Sequence, residues 1–126
     1  MRVNESAENY LETIYLLSKK LPVVRSIDIV HELDFKKSSI SVAMKNLKAN
    51  GYIEVNDSGF ITLTPSGLEI AETIYERHDL LSHLLISLGV DEKIATEDAC
   101  RIEHVISPES FKAIKEFINK NELYIK

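Results

Sequence analysis

The chain has 126 residues, 44% of them hydrophobic and 28% charged, with a net charge of −5. That length allows one compact domain or two small ones sharing a core, and no apolar run approaches the roughly 20 residues of a membrane span. A single cysteine excludes an internal disulfide, and no charged start followed by an apolar stretch marks a secretory signal, so a cytoplasmic protein without a membrane partner is expected.

The total charge hides an asymmetry. Residues 1–50 carry eight Lys or Arg against six Asp or Glu, a net of +2, whereas residues 51–126 carry seven against fourteen, a net of −7. A mildly basic half precedes an acidic one suited to cation binding or dimerisation.

Asn4 or Ser6 can cap a first helix running to about Lys19, with Tyr10, Leu11, Ile14, Tyr15 and Leu17 as its apolar stripe, and Leu21-Pro22 ends it. Ser26 caps a short second helix from Ile27 to Leu33, with Ile27, Val30 and Leu33 inward. After a tight connection, Asp34 to Lys37, a third helix starts at Lys37 or Ser38 and runs to Ala49, where Asn50-Gly51 stops it. Two short β-prone runs follow, Tyr52 to Val55 and Phe60 to Leu63, joined by the turn-rich Asn56-Asp57-Ser58-Gly59, which predicts a hairpin. Thr64-Pro65 opens a long helix to Leu88, another spans about 91–106, and Ser107-Pro108 starts a last one ending near Asn119.

Helix, short helix, turn, helix, hairpin is the order of a winged helix-turn-helix, here over residues 1–64. The fold is therefore expected to be mainly α, with a small β-hairpin wing and a second, helical module over 65–126. Helix 65–88 is long enough to link the two. In the third helix Ile40, Ala43, Met44 and Leu47 form the inward face, leaving Ser38, Ser39, Ser41, Val42, Lys45 and Asn46 outward. Hydroxyls and Lys45 reach phosphates and base edges, Val42 suits a thymine methyl, and Lys36, Lys37 and Lys48 add phosphate-directed charge. The wing tip has no basic residue, so it meets a phosphate only through amides and hydroxyls or is purely structural.

The acidic half holds Cys100, Glu103 and His104, which fall on one helical face at i, i+3 and i+4. A thiol, a carboxylate and an imidazole suit Fe(II), Mn(II), Co(II), Ni(II) or Zn(II) better than Ca(II) or Mg(II). Further ligands are available at His78 and His83 on the long helix and at Glu8 and Glu12 on the first. The bland alternative is a small buried thiol beside a surface Glu–His pair near a helix C-terminus. His31 lacks acidic or thiol companions and reads as surface.

Five segments resemble the family of the diphtheria toxin repressor and the manganese transport regulator. They are Ala7 to Tyr15 (Ala-Glu-Asn-Tyr-Leu-Glu-Thr-Ile-Tyr), Lys37 to Ser41, Leu63 to Gly67, Arg77-His78, and Asp98 to Ser107 with its Cys-x-x-Glu-His core. The similarity spans about residues 5–118. It implies a cytoplasmic, homodimeric, metal-activated repressor of metal-uptake genes, with a winged helix-turn-helix followed by a helical metal-binding and dimerisation domain. By position, the resemblance assigns Glu12, His78, Cys100, Glu103 and His104 as metal ligands, and sets Asn9 where the family has Asp or Met. It places Ser38, Ser39, Ser41 and Val42 where the recognition helix meets double-stranded DNA. Cys100 matches the iron branch and Glu12 the manganese branch, while Ser82 and Thr96 replace a second site's Glu and His. The resemblance implies a short form, expected to be without the SH3-like domain of the iron branch.

The expectation is a repressor activated by Fe(II) or Mn(II), with Zn(II), Co(II) or Ni(II) as substitutes in vitro, acting on a palindromic operator. Leu84, Leu85, Leu88, Ile114 and Phe117 are the expected dimer contacts. The alternative is a metal-independent winged-helix regulator that answers to a small ligand or a protein partner. An enzyme using Cys100 as nucleophile with His104 or His78 as base is disfavoured, because the chain has no glycine-rich loop and no evident oxyanion donor.

Overall fold

A computed structural model describes residues 4–121, in the order α1 (Glu5–Lys20), α2 (Ser26–Leu33), α3 (Lys37–Ala49), β1 (Ile53–Val55), β2 (Ile61–Leu63), α4 (Pro65–Ser87), α5 (Glu92–Val105) and α6 (Pro108–Lys120). The chain forms two compact units, Met1–Glu72 and Thr73–Lys126, and the division falls within α4. The starts of α1, α5 and α6 follow from side-chain caps. Asn4 Oδ1 accepts from Ala7 N, Asp91 Oδ2 from Lys93 N and Ser107 Oγ from Ser110 N, each satisfying an amide that the helix leaves without a partner. Among the described residues no helix is long and apolar enough to cross a membrane.

The first unit is built around Leu11, Ile14 and Leu17 of α1, Ile29 of α2, and Ile40, Met44 and Leu47 of α3, with Val24, Ile53, Ile61 and Ala71 completing the core. Each such aliphatic side chain contributes about 1.5–3 kcal/mol by leaving water. The hairpin is antiparallel, with Ile53 opposite Leu63 and Val55 opposite Ile61. Its alternation puts Ile53 and Ile61 inward and Glu54 and Thr62 outward. Val24 adds a further bridge, its carbonyl accepting from Ile61 N at 2.8 Å, so the segment before α2 lies against the hairpin.

Three expectations need correction. Ser26 begins α2 and does not cap it, because Arg25 holds the N-cap position. The inward residue of α2 is Ile29, wholly buried, and not Ile27, which is 36% exposed. An eight-residue helix has two turns, and the face through Ile29, Val30 and Leu33 fits the spacing as well as the one through Ile27, Val30 and Leu33. The strands are also one residue shorter at their starts, because Tyr52 serves a different purpose. Its carbonyl accepts from Thr64 N, and it also occupies the space that a side chain at Gly67 would need.

In the second unit, Leu80 of α4 packs with Phe111 and Ile118 of α6, flanked by Leu84, Ile106 and Ile114. The buried face of α5 is Ala95, Ala99 and Glu103, at i, i+4 and i+8. Two small residues let the helix approach its neighbours closely. The third position of that apolar stripe is a carboxylate, which sets up the site.

Candidate metal centre and nucleic-acid interface

Glu103 is fully buried, so its carboxylate has given up water. Its Oε2 lies 3.0 Å from His78 Nδ1 and its Oε1 lies 3.3 Å from His104 Nε2. Neither oxygen has a hydrogen-bond partner. A buried carboxylate held this way costs free energy, since no donor replaces the lost hydration. His78, Cys100 and Glu103 each offer one donor atom, and these atoms all lie within 4.8 Å of one another. The His104 side chain is 9% exposed and the His78 side chain 24%.

The bland alternative for this triplet therefore fails on both counts. Cys100 is exposed and not a buried hydrophobe. Glu103 and His104 are interior and not a surface pair. A thiol, a carboxylate and the His78 imidazole thus converge, and the His104 ring touches the other oxygen of the same carboxylate. A divalent transition ion fits that donor set. Cys100, Glu103 and His104 would bind from α5 and His78 from α4, with the thiol deprotonated and the imidazoles neutral.

Glu12 and Asn9 belong to the first unit. Glu12 is buried at 7% exposure, and Asn9 is half-buried, with its carbonyl accepting from the Thr13 hydroxyl at 2.8 Å. His31 is exposed, as its sequence setting implied. His83 stays with its own helix, Nδ1 lying 2.7 Å from the Asp79 carbonyl. Ser82 is buried and donates back to the His78 carbonyl at 2.7 Å. Of the residues expected at the dimer contact, Leu88 and Phe117 are 69% and 55% exposed, whereas Leu84, Leu85 and Ile114 are half-buried.

On α3, Lys36, Lys37, Ser38, Ser39, Ser41, Val42 and Lys45 are all exposed while Ile40, Met44 and Leu47 are buried. The outward row thus stands free of the core, with Val42 60% exposed. Lys36, the N-cap, makes no capping bond, so the first amides of α3 are not satisfied by a capping side chain. Such amides, together with the helix dipole, favour a phosphate. The wing turn is held by Asn56, whose Oδ1 accepts from Ser58 N and Phe60 N, and by Gly59 at φ +81°.

Arg25 was missed in the sequence. Its guanidinium carbon lies 4.9 Å from the centre of the ring of Phe60, the residue that directly follows the wing turn, and its backbone N–H donates to Asp28 Oδ2 at 2.9 Å. Phe60 therefore carries an exposed cation to a hairpin whose own tip has none. A basic residue directly before a helix start was the available signal.

The sequence matches the family model described as the iron dependent repressor, N-terminal DNA binding domain, over residues 2–59, and that of its metal binding and dimerisation domain over residues 64–123. An uncharacterized HTH-type transcriptional regulator of Methanocaldococcus jannaschii is 35% identical over 120 residues, covering 94% of this chain and 96% of its own. The HTH-type transcriptional regulator MntR of Lysinibacillus sphaericus is 32% identical over 117 residues, 93% of this chain and 84% of that one. Among solved structures, IdeR of T. acidophilum matches 94% of this chain with a TM-score of 0.78 and 27% identity. The chain spans 55% of the IdeR chain, about half the length of that solved regulator.

Proposed function

The chain belongs to the family of iron-dependent repressors, and on that premise we propose that it represses metal-uptake and metal-homeostasis genes in response to Fe(II) or Mn(II). The observation that carries this reading is Glu103, a fully buried carboxylate set between two imidazoles and within 4.8 Å of a thiol, with no hydrogen bond to either oxygen. His78, Cys100, Glu103 and His104 hold the ion in this reading. Glu12 of α1 is the further ligand, and Asn9 adds an amide oxygen one turn earlier. Sulfur at Cys100 favours Fe(II), the carboxylates accept Mn(II), and Zn(II), Co(II) or Ni(II) substitute in vitro. A bound ion would place positive charge directly beside this buried carboxylate.

Residues 1–64 form the DNA-binding domain and residues 65–126 the metal-binding and dimerisation domain in this assignment, with helix 65–88 as the connection. Residues 1–3 and 122–126 of those ranges lie outside the described residues. Leu84, Leu85, Leu88, Ile114 and Phe117 contribute to the homodimer. The carboxylate of Glu12 is the group through which metal occupancy reaches the DNA-binding domain. Two recognition helices held about 34 Å apart match successive major grooves of a palindromic operator. A coupling of about 1–3 kcal/mol gives a 5- to 150-fold change in affinity, which is enough for repression in the cytoplasm to follow metal supply.

Titration calorimetry with Mn(II), Fe(II) and Zn(II) tests the metal half of this reading. Wild type is expected to give saturable heat, and His104→Ala a much weaker isotherm. No metal-linked heat in wild type would leave a winged-helix regulator that answers to a small ligand or a partner. For the DNA half, Lys45→Ala and Arg25→Ala are each expected to weaken operator and non-specific binding alike. Each should lower the slope of log K against log salt by about 1 per protomer. An unchanged slope for Arg25→Ala would remove it from the interface.

A further inference from the structure

Arg77 precedes the proposed ligand His78 on α4, but its side chain leads to the other helix that carries ligands. One guanidinium nitrogen, Nη1, donates to the Glu103 carbonyl at 3.2 Å and to the Ile106 carbonyl at 3.1 Å. Both lie at the C-terminal end of α5, where carbonyls run out of amide partners and a cation is favoured by the helix dipole. The same guanidinium sits 5.6 Å from the centre of the Phe111 ring of α6, which is buried in the core with Leu80 and Ile118. Its Nε is buried with no hydrogen-bond partner, so the two carbonyls and the ring are the contacts that fix it.

We infer that Arg77 is a positioning residue for the metal centre, setting the last turn of α5 against α4 so that Glu103 faces His78, with His104 at its other oxygen, before any ion arrives. Glu103 is tied through its own carbonyl, and His104 is its chain neighbour. A shift of that turn therefore moves two donors relative to the third. This deepens the functional reading and rests on it. Groups that orient ligands without touching the ion typically change metal affinity by about 10- to 100-fold. Rigid support of this kind lowers the ordering that binding must impose.

The test uses the full chain, with Co(II) as the probe because thiolate ligation gives it a near-ultraviolet charge-transfer band and ligand geometry sets its visible spectrum. Wild type, Arg77→Met, Arg77→Lys and Ile118→Val are titrated, and the melting temperature of each is measured without metal. Arg77→Met is expected to bind Co(II) about 10- to 100-fold more weakly and with an altered visible spectrum. Arg77→Lys, which keeps a cationic donor, should recover part of the affinity. Ile118→Val, in the same core but with no part in holding the guanidinium, should lower the melting temperature yet keep the wild-type spectrum, which separates packing from positioning. A wild-type affinity and spectrum in Arg77→Met would overturn the inference while leaving the metal site intact. If Arg77→Met fails to fold, Arg77→Lys decides on the same two readouts. Absence of Co(II) binding by wild type would instead remove the functional reading, and this inference with it.

Discussion

Glu103→Gln is expected to abolish metal-dependent operator binding while leaving the metal-free protein at least as stable as wild type. The substitution keeps the shape of the side chain and removes its charge. Metal affinity should fall by about 100-fold or more, at or beyond the top of the range for groups that only orient ligands. Stability should move the other way. The carboxylate is fully buried and neither oxygen has a hydrogen-bond partner, an arrangement that costs about 1–3 kcal/mol per unsatisfied group. Urea denaturation without metal reads this directly, with Gln equal to or above wild type. Metal at 100 times its Kd should stabilise wild type by about 2.7 kcal/mol and the variant hardly at all. A variant destabilised without metal, yet still responsive to it, would mean that Glu103 is a packing residue.

The second large effect lies in the DNA-binding unit. A Cβ at Gly67 would meet the Tyr52 carbonyl oxygen at 2.0 Å and its carbon at 3.0 Å. Backbone on both sides leaves no flexible group to give way. The Tyr52 oxygen is also committed to Thr64 N at 3.1 Å, and the Thr64 hydroxyl is bonded to the Gly51 carbonyl at 2.7 Å. The start of α4 is thus fastened to the base of the hairpin. Gly67→Ala is expected to cost about 3 kcal/mol or more in chemical denaturation. Gly51→Ala is the control. Gly51 has φ +79° and nothing within 4 Å of the added carbon, so it should cost only the left-handed strain, about 1–2 kcal/mol. Equal losses at the two positions would contradict the close approach.

Much of the fold was legible because its helix starts carry local chemistry. Asn4, Thr64 and Ser107 were readable as caps, and each accepts an amide three residues on. The recognition helix was readable from spacing, as Ile40, Met44 and Leu47 are buried and Ser38, Ser39 and Ser41 are not. What escaped depends on tertiary contact. The choice of Ile29 over Ile27 needs the neighbours of α2, and the place of Arg25 needs Phe60, which is 35 positions away in the chain. The Cys-x-x-Glu-His run could be placed on one face, but spacing alone did not separate a buried carboxylate from a surface one. The stripe Ala95, Ala99, Glu103 decides that, because its third position is interior with the first two.

Operator affinity of the wild-type chain, measured by fluorescence anisotropy at fixed salt in chelator and then in saturating Mn(II) or Fe(II), tests the proposed coupling most directly. The account predicts a gain of about 5- to 150-fold with metal. Equal affinity in the two conditions would contradict it.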